Sequence, residues 1–174
     1  MKRLFTVLVV LVLVIVGCEK LPDNEFLGLR FGASVGETQS AMQDKATSYY
    51  DAKLIEKKSV LSGHKVLTYE GNHIFSEAIF TMCFFTGGEL TKIKVVFNPY
   101  SEDKDKIFNR LKEFIEDKYG RMKFTDPVIK NECELDHGGL SITLKHDSRI
   151  GWGTKRGIIL TAFNLGIFLD AMEK

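Results

Sequence analysis

Cysteine is scarce in this chain: three residues in 174, too few to build a disulfide scaffold. Proline is as rare, also three, and no low-complexity stretch divides the sequence, which excludes a collagen-like or linker-dominated molecule. An excess of one charge sign is missing too. Twenty-four Lys and Arg face 23 Asp and Glu, a formal net charge of +1, so no strong global field is available to recruit nucleic acid. No uninterrupted apolar run reaches the roughly 20 residues that a membrane-spanning helix needs. Signature motifs of catalysis are also lacking: there is no G-x-S-x-G, no P-loop, no G-x-G-x-x-G and no H-E-x-x-H. What is present is ordinary globular composition, 44% hydrophobic and 27% charged, at the length of one domain.

The apolar residues are unevenly spread. Lys2 and Arg3 form a short positive start, and Leu4 to Val16 is then almost purely aliphatic. Thirteen residues make a helix of roughly 20 Å, short of a hydrocarbon core of about 30 Å. A charged start followed by a short apolar core is the pattern of an export signal. The run closes on Ile15-Val16-Gly17-Cys18 and turns polar at once with Glu19-Lys20.

This ending resembles the lipobox of bacterial lipoproteins: a branched apolar residue three before the cysteine, a small residue before it, then the cysteine. The resemblance covers residues 1 to 18. It implies that residues 1–17 are a lipoprotein signal peptide and that the Cys18 sulfur receives a diacylglyceryl thioether. Cleavage between Gly17 and Cys18 follows, then addition of a fatty acid such as palmitate to the new amine. A thiol is the side chain best suited to forming a thioether, and Gly17 offers no side chain to obstruct cleavage. One acyl chain binds a bilayer only marginally, whereas two or three hold it stably. The rest of the chain would then be an anchored cell-envelope protein. Glu19 after the cysteine is not the Asp that resembles an inner-membrane retention signal in enteric bacteria, which favours the outer membrane.

Removing residues 1–17 takes away Lys2 and Arg3, leaving 22 cations against 23 acids and a net charge near −1. Residues 18–25 hold four charges with Pro22 and Asn24 and read as a short lipidated tether. Residues 26–174 read as a single domain. Leu27, Leu29 and Phe31 alternate as in a short strand. Ser34 and Glu37 stand in the capping-box relation, so a helix is expected from Val35 to about Ala46. Tyr49 to Glu56 and His64 to Glu70 read as strands. Ala78, Phe80, Met82 and Phe84 share one face of a strand. Thr91, Ile93, Val95 and Phe97 share a face of the next, with Lys92 and Lys94 pointing away and Gly87-Gly88 as the tight turn. Ile107, Phe108, Leu111, Phe114, Ile115 and Tyr119 mark an amphipathic helix over Ser101 to Tyr119, with Gly120 at its C′ position. Strands return at Cys133–Leu135, at Leu140–Lys145 after the His137-Gly138-Gly139 turn, and at Ile158–Phe163. Leu165 to Lys174 closes the chain as a short helix.

Helix then strands, followed by helix then strands, predicts an α+β domain: an antiparallel sheet with helices packed on one face, built as two diverged α-plus-sheet units. The run Leu29-Arg30-Phe31-Gly32-Ala33-Ser34 before a capped helix, with Leu67-Thr68-Tyr69 and a late hairpin, looks like small envelope lipoproteins of the small-protein-A and β-lactamase-inhibitor-like fold. That resemblance implies action by protein–protein contact, in some cases in outer-membrane assembly, and carries no catalytic residues.

Candidate chemistry is thin. Cys133, Asp136, His137 and His146 include zinc-ligand types around one hairpin, but their spacing fits no closed site, so no metal or cofactor is assigned. Glu102-Asp103, Glu132-Glu134 and Glu116-Asp117 are explained by a helix start and by wet faces rather than by acid–base work. Cys83 and Cys133 either pair or remain buried thiols. The loop from Ser148 to Arg156 places the only tryptophan, Trp152, between glycines and beside Arg149 and Arg156. Those side chains suit contact with a partner protein or anionic lipid, while a Trp152 folded onto the core would serve packing alone. The reading is a lipid-anchored, non-catalytic protein-binding or assembly module whose partners are the membrane, through Cys18, and another envelope protein. The rival is an envelope hydrolase with a site of scattered acids and histidines.

Overall fold

The structure, a computed structural model, describes residues 24–49, 53–58, 64–70, 77–97, 104–149 and 156–173. Residues 1–23, and with them Cys18, lie outside the described residues, as does Trp152. Among the described residues, no helix is long and apolar enough to cross a membrane.

The fold opens with a small hairpin, β1 (Glu25–Phe26) and β2 (Leu29–Arg30). The alternation of Leu27, Leu29 and Phe31 predicts one short strand; instead Leu27 and Gly28 turn the chain with φ of 54° and 73°. The Leu27 N–H donates to the Tyr119 hydroxyl at 3.2 Å, which gives the reversed backbone a buried partner. Helix α1 (Val35–Tyr49) follows. Its start is the expected capping box: the Ser34 N–H donates to Glu37 Oε2 at 2.8 Å, and the Glu37 N–H donates to Ser34 Oγ at 3.3 Å.

Four strands then run as a meander, β3 (Lys53–Lys58), β4 (His64–Glu70), β5 (Ala78–Thr86) and β6 (Glu89–Phe97). Helix α2 (Lys104–Tyr119) and a second run, β7 (Lys123–Phe124), β8 (Glu132–His137), β9 (Leu140–Arg149) and β10 (Arg156–Asn164), repeat the plan, and helix α3 (Leu165–Met172) ends it. The eight strands form one antiparallel sheet in the order β3-β4-β5-β6-β10-β9-β8-β7. Two like units, each a helix followed by a four-strand meander, therefore meet where β6 pairs with β10, with Lys94 opposite Thr161 at the seam.

The sheet alternates, and its inner face carries the core. Thr81, Cys83 and Phe85 from β5, Ile93, Val95 and Phe97 from β6, Leu160 and Ala162 from β10, and Ile142 and Leu144 from β9 are all buried. Ile107, Phe108, Leu111, Ile115 and Tyr119 of α2 and Met42 of α1 join them in one continuous cluster. Each fully buried large apolar side chain contributes about 1.5–3 kcal/mol, so one core shared by both units holds the domain together.

Register also fixes what sits at each end of the sheet. The β5–β6 turn (Gly87 and Gly88), the β8–β9 turn (Gly138 and Gly139) and Asn164 at the close of β10 share one end. The entry of the chain is there too: the Asn24 carbonyl accepts from the Phe31 N–H at 2.7 Å, and Gly32 and Ala33 bond to Leu90. Arg149 and Arg156 pair at the opposite end.

Candidate functional site

The face of the sheet turned away from the core is the most distinctive surface. On β5 the expected set Phe80, Met82 and Phe84 does share a face, and it is this outer one. Ala78 does not join it, because a bulge between Ala78 and Phe80 shifts the phase and buries Ala78. Lys92 and Lys94 of β6 point the same way. Two rows cross the centre of the sheet: Val66, Phe84, Lys92 and Phe163, then Thr68, Met82, Lys94 and Thr161. Lys92 thus lies between two phenylalanines, with its Nζ 5.4 Å from the Phe84 ring centroid. Lys94 lies between Met82 and Thr161.

Both lysines are half-buried, and among the described residues neither forms an ion pair. Burial, and after it repulsion from Lys92, holds the Lys94 ammonium below the usual lysine range. Of the acids on this face, Glu70 stands opposite Phe80 on β4, two strands from β6, and Glu132, Glu134 and Asp136 stand on β8, three strands from β6, or about 14 Å. Glu132 is already engaged by Lys145 at 2.7 Å. A groove of about 430 Å³ runs from the first row to α3, where Phe163 and Phe168 meet at 5.5 Å between ring centroids. Thr86 Oγ1 lies within hydrogen-bonding distance of His64 Nδ1 (3.4 Å) and Thr91 Oγ1 (3.3 Å) on the groove wall. Among the described residues, the surface sets aromatic planes and a thioether around cations that have no ion-pair partner.

The other residues singled out from the sequence do not converge. Cys133 is buried and donates to Met122 Sδ at 3.6 Å. His137 meets the Tyr119 ring at 6.3 Å. His146 lies 3.4 Å from Asp105 and edge-on to Phe108, and Asp136 faces outward. Among the described residues no three His, Cys, Asp or Glu side chains are placed to hold a metal ion. Burial alone would raise the Glu116 carboxyl, but hydrogen bonds from Lys112 Nζ (2.7 Å) and the Met122 N–H (2.9 Å) outweigh it and keep the group below the usual range. Glu116 thereby ties the end of α2 to the chain that follows it. Glu102, Asp103 and the Trp152 loop lie outside the described residues, and of Arg149 and Arg156 the structure gives the backbone pairing alone.

Cys83 and Cys133 are free. Their strands, β5 and β8, have β6, β10 and β9 between them, a separation of about 19 Å that no disulfide spans. Burial pushes the Cys83 thiol up to about 12 and the Cys133 thiol up to about 11. Both folded values exceed the unfolded one, so the stability these thiols carry is intact below about pH 9 and is lost as pH rises toward 12. Stability measured by denaturant should therefore fall steeply across that window, and Cys83→Ala should flatten the slope. At pH 8 neither thiol should react in the native protein, and both should react once it is unfolded without reductant. Fewer than two thiols beyond Cys18 in the unfolded, unreduced protein would contradict the placement.

Comparison of the whole chain with protein-family models, with curated proteins and with solved structures found no match.

Proposed function

We propose that this chain is a lipid-anchored cell-envelope protein and that its α+β domain works without catalysis, by binding another envelope protein through the outer sheet face. The observation that supports this most is the pair of half-buried lysines, Lys92 and Lys94, set among Phe84, Met82 and Phe163 with no acid opposite them among the described residues. A partly desolvated cation without a counter-charge is unfavourable. A partner carrying acidic and apolar groups would relieve it. The anchor rests on the Cys18 lipobox pattern. Tethering both partners to one envelope raises their effective concentration, so a modest contact suffices.

A photo-reactive side chain placed at Met82 should capture one defined envelope protein in intact cells. Lys94→Glu should lower that capture about ten-fold or more, as expected when like charges are juxtaposed in an interface, while leaving the melting temperature nearly unchanged. Trp152→Ala should leave capture at Met82 intact. Capture that is indifferent to Lys94→Glu but lost in Trp152→Ala would move the contact to the loop and overturn the assignment to the sheet face.

A further inference from the structure

Helix α3 turns its larger apolar side outward. Its inward side is small: Ile167 Cδ1 stands 3.6 Å from the position a Cβ would take on Gly32, and the Ala171 carbonyl approaches Gly87 so closely that a Cβ there would lie 2.6 Å away. Leu165, Leu169 and Met172 are 53%, 52% and 59% exposed. Their spacing of four and three residues makes one stripe along the helix, and half-buried Phe168 continues it toward Phe163. The helix is firmly started, since Asn164 Oδ1 accepts from the Ile167 N–H at 3.1 Å. Such an outward stripe does not stabilise the isolated domain.

Its position says what covers it. Asn24 bonds to Phe31, the residue before Gly32, and Ile167 packs over Gly32. The chain therefore enters the fold beside α3. Six residues lead from Cys18 to Asn24, a reach of at most about 20 Å. We propose that α3 rests its Leu165–Leu169–Met172 stripe in the surface of the bilayer that holds the Cys18 lipid; this inference rests on the proposed acylation. Interfacial helices lie in the membrane plane with their apolar side about 5–10 Å deep. Asp170 and Glu173 are exposed, project off the stripe and stay in water. A protein covering the stripe would have to fit between α3 and the bilayer within that reach of about 20 Å. Seated so, the domain turns the Arg149–Arg156 end of the sheet away from the membrane, about 30 Å off along β10.

The test uses the protein purified with its native anchor and carrying Trp152→Phe with Leu169→Trp. It is reconstituted into vesicles of three parts phosphatidylethanolamine to one part phosphatidylglycerol, with and without acyl chains brominated near the headgroup. The introduced indole should emit at shorter wavelength in vesicles, and brominated lipid should quench it roughly two-fold or more, as a few-ångström insertion requires. Ile129→Trp, at an exposed position on the far end, should stay water-like and unquenched. Intact mass reports the acyl chains in the same sample. Acyl mass with an unquenched, water-like indole at 169 overturns the docking and leaves the anchor standing; mass without acyl chains overturns the anchor and the docking together. A shift that follows protein concentration and ignores lipid puts a second copy of the chain on the stripe and also overturns the docking.

Discussion

Leu160→Ala is expected to destabilise the whole domain in a single transition, by about 2–5 kcal/mol. Leu160 is fully buried on β10. It stands opposite Val95 of β6 on one side and Leu144 of β9 on the other, so it touches both units at the seam between them. If the units shared no core, the loss would unfold the second half and leave the first. Because the buried cluster runs without a break from Leu67 through Ile93 to Leu144, chemical denaturation should instead show one midpoint, lower than that of the unchanged protein, with the slope retained. Two separated transitions in Leu160→Ala would show that the halves fold independently.

The second large effect concerns location. With the proposed lipid on Cys18, Cys18→Ser is expected to abolish incorporation of a fatty-acid probe and to move the protein out of the membrane fraction. Serine keeps the size of the side chain and removes the thiol nucleophile on which thioether formation depends. Two or three acyl chains bind a bilayer stably, at about 0.8 kcal/mol for each buried CH₂. Without acyl chains, a helix of eight residues such as α3 would be too weak an anchor to compensate. Radioactive or clickable fatty acid, followed by gel analysis of the fractionated cells, checks both outcomes. Undiminished labelling of Cys18→Ser would remove the basis for the anchor.

Much of the fold was legible because local chemistry spelled it out. Ser34 and Glu37 mark the start of α1, and both their hydrogen bonds are present. The apolar spacing from Ile107 to Tyr119 gives α2, ended by Gly120 at a φ of +112° where glycine costs least. Gly87-Gly88 and Gly138-Gly139 turn their hairpins with positive φ at all four residues. The orientation of β5 was harder to read. Thr81, Cys83 and Phe85 are nearly as apolar as Phe80, Met82 and Phe84, so alternation carries little contrast, and bulges at both ends of the strand slip the phase. The lysines of β6 were the better guide, since Lys92 and Lys94 could not share the core side and their cross-strand neighbours are Phe84 and Met82.

The candidate site was therefore half visible. Lys92 and Lys94 announced an outward face, but Phe163 and Phe168 came to it from a strand and a helix about 70 residues further along, through the β6–β10 pairing. That pairing joins two strands about 60 residues apart in the sequence, and no turn residue announces it. The reversal at Leu27 was equally hidden, since a leucine at positive φ is rare and is held here by the Tyr119 hydroxyl more than 90 residues away.

The proposed anchoring depends most on the chemistry of one sulfur. Intact-mass analysis of the protein extracted from its own cells, followed by sequencing of the N-terminal peptide, tests it directly. The expected result is a chain that begins at Cys18 and carries the added mass of a diacylglyceryl group, with or without a further amide-linked chain. A chain that still begins at Met1, with an unmodified thiol at Cys18, would contradict it.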